Sequence, residues 1–194
     1  MLFRLFSVTA IASFLVACDK PSSAVAEAKR LGWEDTRSAG PHASPPSHDI
    51  AKLKPGFRDL KWGDALPAEM IRVKGVDDGP VLFYGRPGDP LTIGDAQLAV
   101  LLYGFFEGRF TSVKIVSTPD QANALRSALM ASWGIGDSRE SSRLMRDPIL
   151  WRNGETRAVY YIAVENDFPQ VRIFNARLQE EAERFHGESA SKGL

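Results

Sequence analysis

Hydrophobic and polar residues alternate through much of the second half of the chain, as they do in antiparallel strands. Residues 97–106 are apolar at both alternating sets of positions, which predicts a central strand covered on both faces. Residues 110–116 follow a Glu107-Gly108 turn, so the two segments predict a hairpin. A second hairpin is predicted over residues 149–164, because Asn153-Gly154 is a strong short turn signal.

Helical periodicity appears in two or three places between the predicted strands. Thr118 is followed directly by Pro119 and, three positions after Thr118, by Gln121. This pattern predicts the capped start of a helix that ends at Gly134. Asn175 is placed to cap a last helix. Asp64 is placed to cap a short helix that ends at Gly75.

The order of these elements predicts the fold class α+β. We expect a single two-layer domain over residues 56–186, in which a mainly antiparallel sheet of hairpins carries two or three helices on one face. Residues 18–55 are rich in Pro, Ser and Ala and predict a flexible tether. Residues 187–194 are small and polar and predict a disordered tail.

The N-terminal residues predict export. Residues 5–17 contain no charged side chain, and this run is shorter than the ~20 residues of a membrane-spanning helix, which is typical of a secretory signal. Leu15-Val16-Ala17-Cys18 resembles the lipobox of bacterial lipoprotein precursors. The resemblance covers residues 1–18 only, with residues 1–17 as the signal peptide. It implies cleavage before Cys18 and acylation of this cysteine, with palmitate among the expected chains.

The residue after Cys18 bears on the location. Asp19 resembles the inner-membrane retention signal of lipoproteins, so we expect an anchor in the cell envelope with the domain facing the periplasm. The alternative is an ordinary signal that leaves Cys18 as a free thiol. Cys18 is the only cysteine of the chain, which argues against a disulfide-stapled domain.

Composition and residue placement argue against several kinds of chemistry. Lys plus Arg equals Asp plus Glu, at 24 each, so the balance gives no case for nucleic-acid binding. Two of the three histidines lie in the predicted tether and the third near the C-terminus, which excludes a Ser-His-Asp triad inside the domain. No motif indicates a cofactor or a metal site, and we assign no catalytic residue.

Acidic residues leave two weak alternatives open. Asp59 and Asp64 flank Trp62 and could form the carboxylate pair of a hydrolase, although cap and turn roles are favoured. Asp77-Asp78, with Asp89 and Asp95, could bind calcium from loops, but their spacing matches no EF-hand.

Basic and aromatic residues offer a candidate binding surface instead. It comprises Arg139, Arg143, Arg146 and Trp151, with Arg152 and Arg157 as further candidates. A ligand groove could be lined by Phe105, Phe106, Phe110, Trp151, Tyr160 and Tyr161.

We therefore expect a non-catalytic lipoprotein that is attached to the membrane by its anchor and binds an envelope protein or a second copy of itself. The alternatives are a small-molecule or glycan binding module and, less favoured, a carboxylate-based hydrolase.

Overall fold

A computed structural model describes residues 52–192 of the chain. The predicted signal peptide, Cys18, Asp19 and nearly all of the predicted tether lie outside the described residues.

The described residues form a mainly antiparallel sheet with two helices, so the predicted α+β class is confirmed. The strands are β1 (Gly56–Phe57), β2 (Leu60–Lys61), β3 (Ile71–Arg72), β4 (Leu82–Gly85), β5 (Thr92–Ile93), β6 (Ala96–Gln97), β7 (Val100–Phe106), β8 (Arg109–Val116), β9 (Asp137–Ser138), β10 (Met145–Asn153), β11 (Thr156–Ala163) and β12 (Pro169–Asn175). Eight of them form one sheet in the order β3-β4-β7-β8-β12-β11-β10-β9, and the pairs β1-β2 and β5-β6 lie apart from it.

Both predicted hairpins are present in this sheet. β7 and β8 pair across the turn at Glu107 and Gly108, whose φ angles of 50° and 74° are left-handed. β10 and β11 pair from Asn153 opposite Thr156. The two residues that turn the chain there are Gly154 and Glu155, one position later than the Asn-Gly pattern suggests.

Two of the predicted helices are present, α1 (Ala122–Trp133) and α2 (Ala176–Lys192). A 3-10 turn, Pro119–Gln121, precedes α1, and Gly134 follows it with φ 91° and donates its N–H to Met130. Asn175 caps α2 as predicted, because its Oδ1 accepts the N–H of Leu178 at 2.9 Å. α2 continues to Lys192, beyond the position at which a tail was expected to begin.

The predicted short helix over residues 64–75 is wrong. Asp64 closes a turn, accepting the N–H of Lys61 at 2.8 Å. The next residues run along the β7–β8 hairpin, where the Leu66 N–H donates to Gly108 O, and then enter β3. A helix of two turns is marginal without tertiary support, and this segment finds its backbone partners on the hairpin instead.

The two helices pack against different sides of the main sheet. Leu125 and Leu129 of α1 share a buried cluster with Tyr103 of β7. Ala182 of α2 shares another buried cluster with the adjacent residue Leu102. Successive residues of a strand point to opposite faces, so we call these the α1 face and the α2 face. The expectation of helices on one face is not confirmed, because each apolar side of β7 is covered by its own helix.

Candidate binding surface

The acids proposed as a hydrolase pair are held separately by other groups. Asp59 contacts Arg86 at 2.6 Å, and Arg86 also contacts Glu69 at 3.0 Å. The hydrogen bond from Arg86 is the main cause that lowers the pKa of Asp59. The Asp64 carboxylate accepts a hydrogen bond from the backbone N–H of Lys61. Each acid is therefore engaged in a structural contact of its own.

The acids proposed for calcium are also dispersed. Asp89 accepts a hydrogen bond from the Tyr103 hydroxyl and contacts Arg58 at 2.8 Å. Burial, followed by this bond to Asp89, raises the pKa of Tyr103 above its ordinary value. Asp77 contacts a different arginine, Arg72, at 2.6 Å. Among residues 52–192, no group of three or more His, Cys, Asp or Glu side chains is placed to hold a metal ion.

The aromatic side chains proposed to line a groove lie in the core. Each is at most 5% exposed: Phe105, Phe106, Phe110, Trp151, Tyr160 and Tyr161. Trp151 is 1% exposed, donates its indole N–H to Gly134 O at 2.8 Å and meets the Trp133 ring edge-to-face. Trp151 is therefore a core residue and does not belong to an exposed binding surface, because its ring fills the α1 face of β10.

The three arginines of the predicted surface have different surroundings. Arg146 pairs with Asp167 at 2.9 Å on the exposed rim of the sheet. Arg143 is exposed in the segment between β9 and β10. Arg139 follows β9 directly, and its backbone N–H donates to Pro148 O of β10 at 2.9 Å. Among the described contacts, none links two of these three arginines, so the predicted patch stays a prediction.

A different set of arginines is brought together by the β10–β11 hairpin. Arg152 lies directly opposite Arg157 in the antiparallel register. Burial is the first cause that lowers the pKa of the Arg152 guanidinium, followed by repulsion from Arg139 and then from Arg157, while Asp137 acts in the opposite direction. We call Arg139, Arg152 and Arg157 the arginine corner.

Arg152 and Arg157 lie at one end of the α2 face, where apolar and basic residues are mixed. Arg157 lies opposite Phe174, and the neighbouring row pairs Val159 with Arg172 and Arg172 with Lys114. Directly opposite residues share a face of the sheet, and so do residues two apart on one strand. The basic side chains therefore extend from the hairpin towards the strands that α2 contacts, β8 and β12.

Towards α2, this row becomes buried. The Arg172 side chain is 6% exposed and contacts Asp78, 8% exposed, at 2.7 Å. Lys114 is buried beside Arg172. Asp78 comes from the segment before β4, so this ion pair joins parts of the chain that are far apart in sequence. The inner part of the row is a structural contact, whereas the arginine corner is its accessible end.

Sequence reasoning anticipated only part of this surface. Arg152 and Arg157 were further candidates, and the two-residue turn between them is the signal that places them opposite each other. The contact between Arg172 and Asp78 was missed, because no local pattern connects residues so far apart.

The chain matches no family model, and comparisons with curated proteins and with solved structures find no significant match. Within residues 52–192, neither helix is long and apolar enough to cross a membrane.

Proposed function

We propose that this chain is a lipid-anchored protein of the bacterial cell envelope whose domain is a non-catalytic binding module. In this proposal Cys18 carries the anchor, residues 18–55 are the tether and Asp19 favours the inner membrane. The partner is an envelope protein or a second copy of the chain. The support for the anchor is the lipobox resemblance and the absence of a second cysteine.

The observation that carries the binding role is the arginine corner. Like charges directly opposite each other on two strands destabilise a sheet, yet Arg152 faces Arg157 with Arg139 close by. An acidic partner that adds negative charge beside these arginines would lower the repulsion between them. The acids Asp59 and Asp89, by contrast, are already neutralised by arginines.

The short edge strands of the sheet favour binding of a partner through a face of the sheet. The outer strands β3 and β9 have two residues each, and very short edge strands offer little backbone for strand addition. In the proposed arrangement the sheet lies between α1 and α2. The hairpin end of the α2 face is then the surface offered to a partner.

Fractionation of cells that express the chain or Cys18→Ser tests the anchor. The wild-type chain is expected in the detergent phase with the mass of a processed, acylated protein. Cys18→Ser should be neither processed in the same way nor retained. Equal retention and processing of the two chains would refute the anchor.

Gentle cross-linking of the membrane-bound intact chain tests the binding role. A stable cross-linked species is expected, and mass spectrometry of that species separates a partner protein from a second copy. The matched control is the chain with the charge-reversing substitutions Arg152→Glu and Arg157→Glu, which should lose the species. Recovery of the wild-type chain only as a monomer would contradict the proposal.

A further inference from the structure

We propose that residues 24–35 of this chain dock on the apolar part of the α2 face that β10 and β11 form. These residues belong to the predicted tether and lie outside the described part of the chain. The inference goes beyond the proposed function, because it concerns a contact of the chain with itself and requires neither a partner nor the lipid anchor.

The burial of this face is the first argument. Leu150 of β10 lies opposite Val159 of β11, and their side chains are 7% and 4% exposed. Side chains on one face of neighbouring strands stand beside each other, roughly perpendicular to the sheet. They leave the solvent only when another layer covers them. The two residues belong to a buried cluster that comprises Met145, Leu150, Val159, Tyr161 and Ala163.

The origin of the covering layer is the second argument. α2 contributes Ala182 to a different cluster, beside Leu102, and contacts β8 and β12. Leu144 packs against the cluster of β10 and β11, but it precedes Met145 directly, at the end of β10 that lies away from the hairpin turn. The burial is present in a single chain, so it depends on neither a second copy nor a partner. We therefore infer that the cover comes from the residues before Lys52.

The third argument is the place at which the described chain begins. The Asn153 side chain donates to Leu53 O at 2.8 Å, and the Thr156 hydroxyl donates to Lys54 O at 3.2 Å. The preceding residues therefore start beside the hairpin turn, and the apolar cluster begins only about 10 Å along β10 from there. About 19 residues separate Trp33 from Leu53, and a coil of this length reaches about 24 Å. Trp33 is thus within reach of the cluster.

The sequence of the segment matches an apolar surface. Ala24, Ala28 and Leu31 recur at the i, i+4 and i+7 spacing of one helix face, and Trp33 follows them. A helix of two turns is marginal in water, so this apolar side requires a surface to pack on. In the stretch between the signal peptide and Lys52, these residues form the densest apolar pattern.

The charges beside the cluster agree with the same placement. The acids Glu34 and Asp35 directly follow the apolar residues of the segment. On the α2 face, Arg152 and Arg157 lie next to the cluster, on the side of the hairpin turn. Opposite charges at the rim of an apolar contact fix its orientation. An acidic partner would then compete with Glu34 and Asp35 for these arginines.

Disulfide trapping in the full-length chain in non-ionic detergent tests the docking. The test pair is Thr36→Cys with Arg152→Cys, which joins the end of the segment to the α2 face. The matched control pair is Thr36→Cys with Arg126→Cys, because Arg126 is also an exposed arginine but lies on α1, at the other face of the sheet. Mass spectrometry of the peptides identifies the joined cysteines and separates them from any disulfide of Cys18.

The disulfide of the test pair should form roughly tenfold faster or more than that of the control pair, because docking raises the effective concentration of one thiol near the other. Leu31→Ser combined with Trp33→Ser, introduced into the test pair, should remove most of this advantage. Ala43→Ser changes an apolar residue outside the segment and should leave the rate unchanged. This comparison separates docking from the mere nearness of the segment to the hairpin.

Three results would overturn the proposal. The first is an equal rate in the test and control pairs, and the second is a rate in the test pair that Leu31→Ser with Trp33→Ser does not change. The third is a disulfide that joins two chains, which would assign the face to a second copy. The circular dichroism spectrum of each variant, compared with that of the wild-type chain, separates a lost contact from a lost fold.

Discussion

Replacement of Asp78 is expected to destabilise the domain far more than replacement of an acid in an exposed ion pair. Asp78 and Arg172 are 8% and 6% exposed and contact at 2.7 Å. Asp78→Ala would leave the Arg172 guanidinium buried beside Lys114, its direct neighbour on β8. Two buried cations would then face each other without the carboxylate.

The magnitude follows from burial. Removal of one partner from a buried pair costs about 3–5 kcal/mol. We expect about 3 kcal/mol for Asp78→Ala, at the lower end of this range, because the contact lacks hydrogen-bond geometry at Asp78 Oδ2. In addition, Arg172 Nε has no hydrogen-bond partner in the described part of the chain.

An exposed pair in the same sheet provides the control. Arg146 and Asp167 contact at 2.9 Å, but their side chains are 47% and 62% exposed. Exposed pairs contribute about 0–1 kcal/mol. Asp167→Ala should therefore change the free energy of unfolding much less than Asp78→Ala, although the two contacts have similar lengths.

Urea unfolding of the full-length chain, followed by tryptophan fluorescence, measures these differences. A double-mutant cycle adds Asp78→Leu, Arg172→Met and the combination of these two substitutions. The combination should be more stable than either single variant, because it removes both charges of the pair together. Equal effects of Asp78→Ala and Asp167→Ala, or a double variant whose loss equals the sum of the single losses, would refute this reasoning.

Two further predictions concern β7. Gly104→Ala should destabilise the domain by about 1–3 kcal/mol, because a Cβ atom would collide with Ser112 Oγ and lie 2.9 Å from Val81 Cγ1; urea unfolding measures the loss, and Ser112→Ala should partly rescue it. Tyr103→Phe should flatten the alkaline loss of stability that begins near the ordinary tyrosine pKa of about 10 and continues as the pH rises further. The pKa of Tyr103 is raised in the folded state, so the unfolded chain releases this proton first and stability falls as the pH rises. An unchanged slope in Tyr103→Phe would contradict this assignment.

The sequence predicted the elements whose signals are local. Residues 97–116 contain a complete strand-turn-strand pattern, and this hairpin is present. Asn175 is followed by a run with helical spacing, and its side chain caps α2. Asp64 carried an equally plausible cap signal but closes a turn instead. The difference is the neighbourhood, since the chain after Asp64 finds backbone partners on the hairpin.

To predict where the helices pack, the apolar residues on both sides of β7 have to be considered together. The apolar residues on both sides of β7 indicated that each side is covered, which is inconsistent with helices on a single face. Trp151 shows a similar limit. Its position beside arginines in the sequence suggested a surface, but alternation along β10 turns its ring into the core while Arg152 points to the other side.

The arginine corner depends on the register of one hairpin. Arg152 and Arg157 are opposite each other because the turn contains two residues, Gly154 and Glu155, and Gly154 adopts a left-handed φ of 54°. A one-residue slip of a strand would turn all of its side chains to the other face. It would place these guanidinium groups towards the apolar α1 face, where their desolvation is costly. The buried residues next to Arg152 and Arg157 therefore enforce the same register that places the two arginines opposite each other.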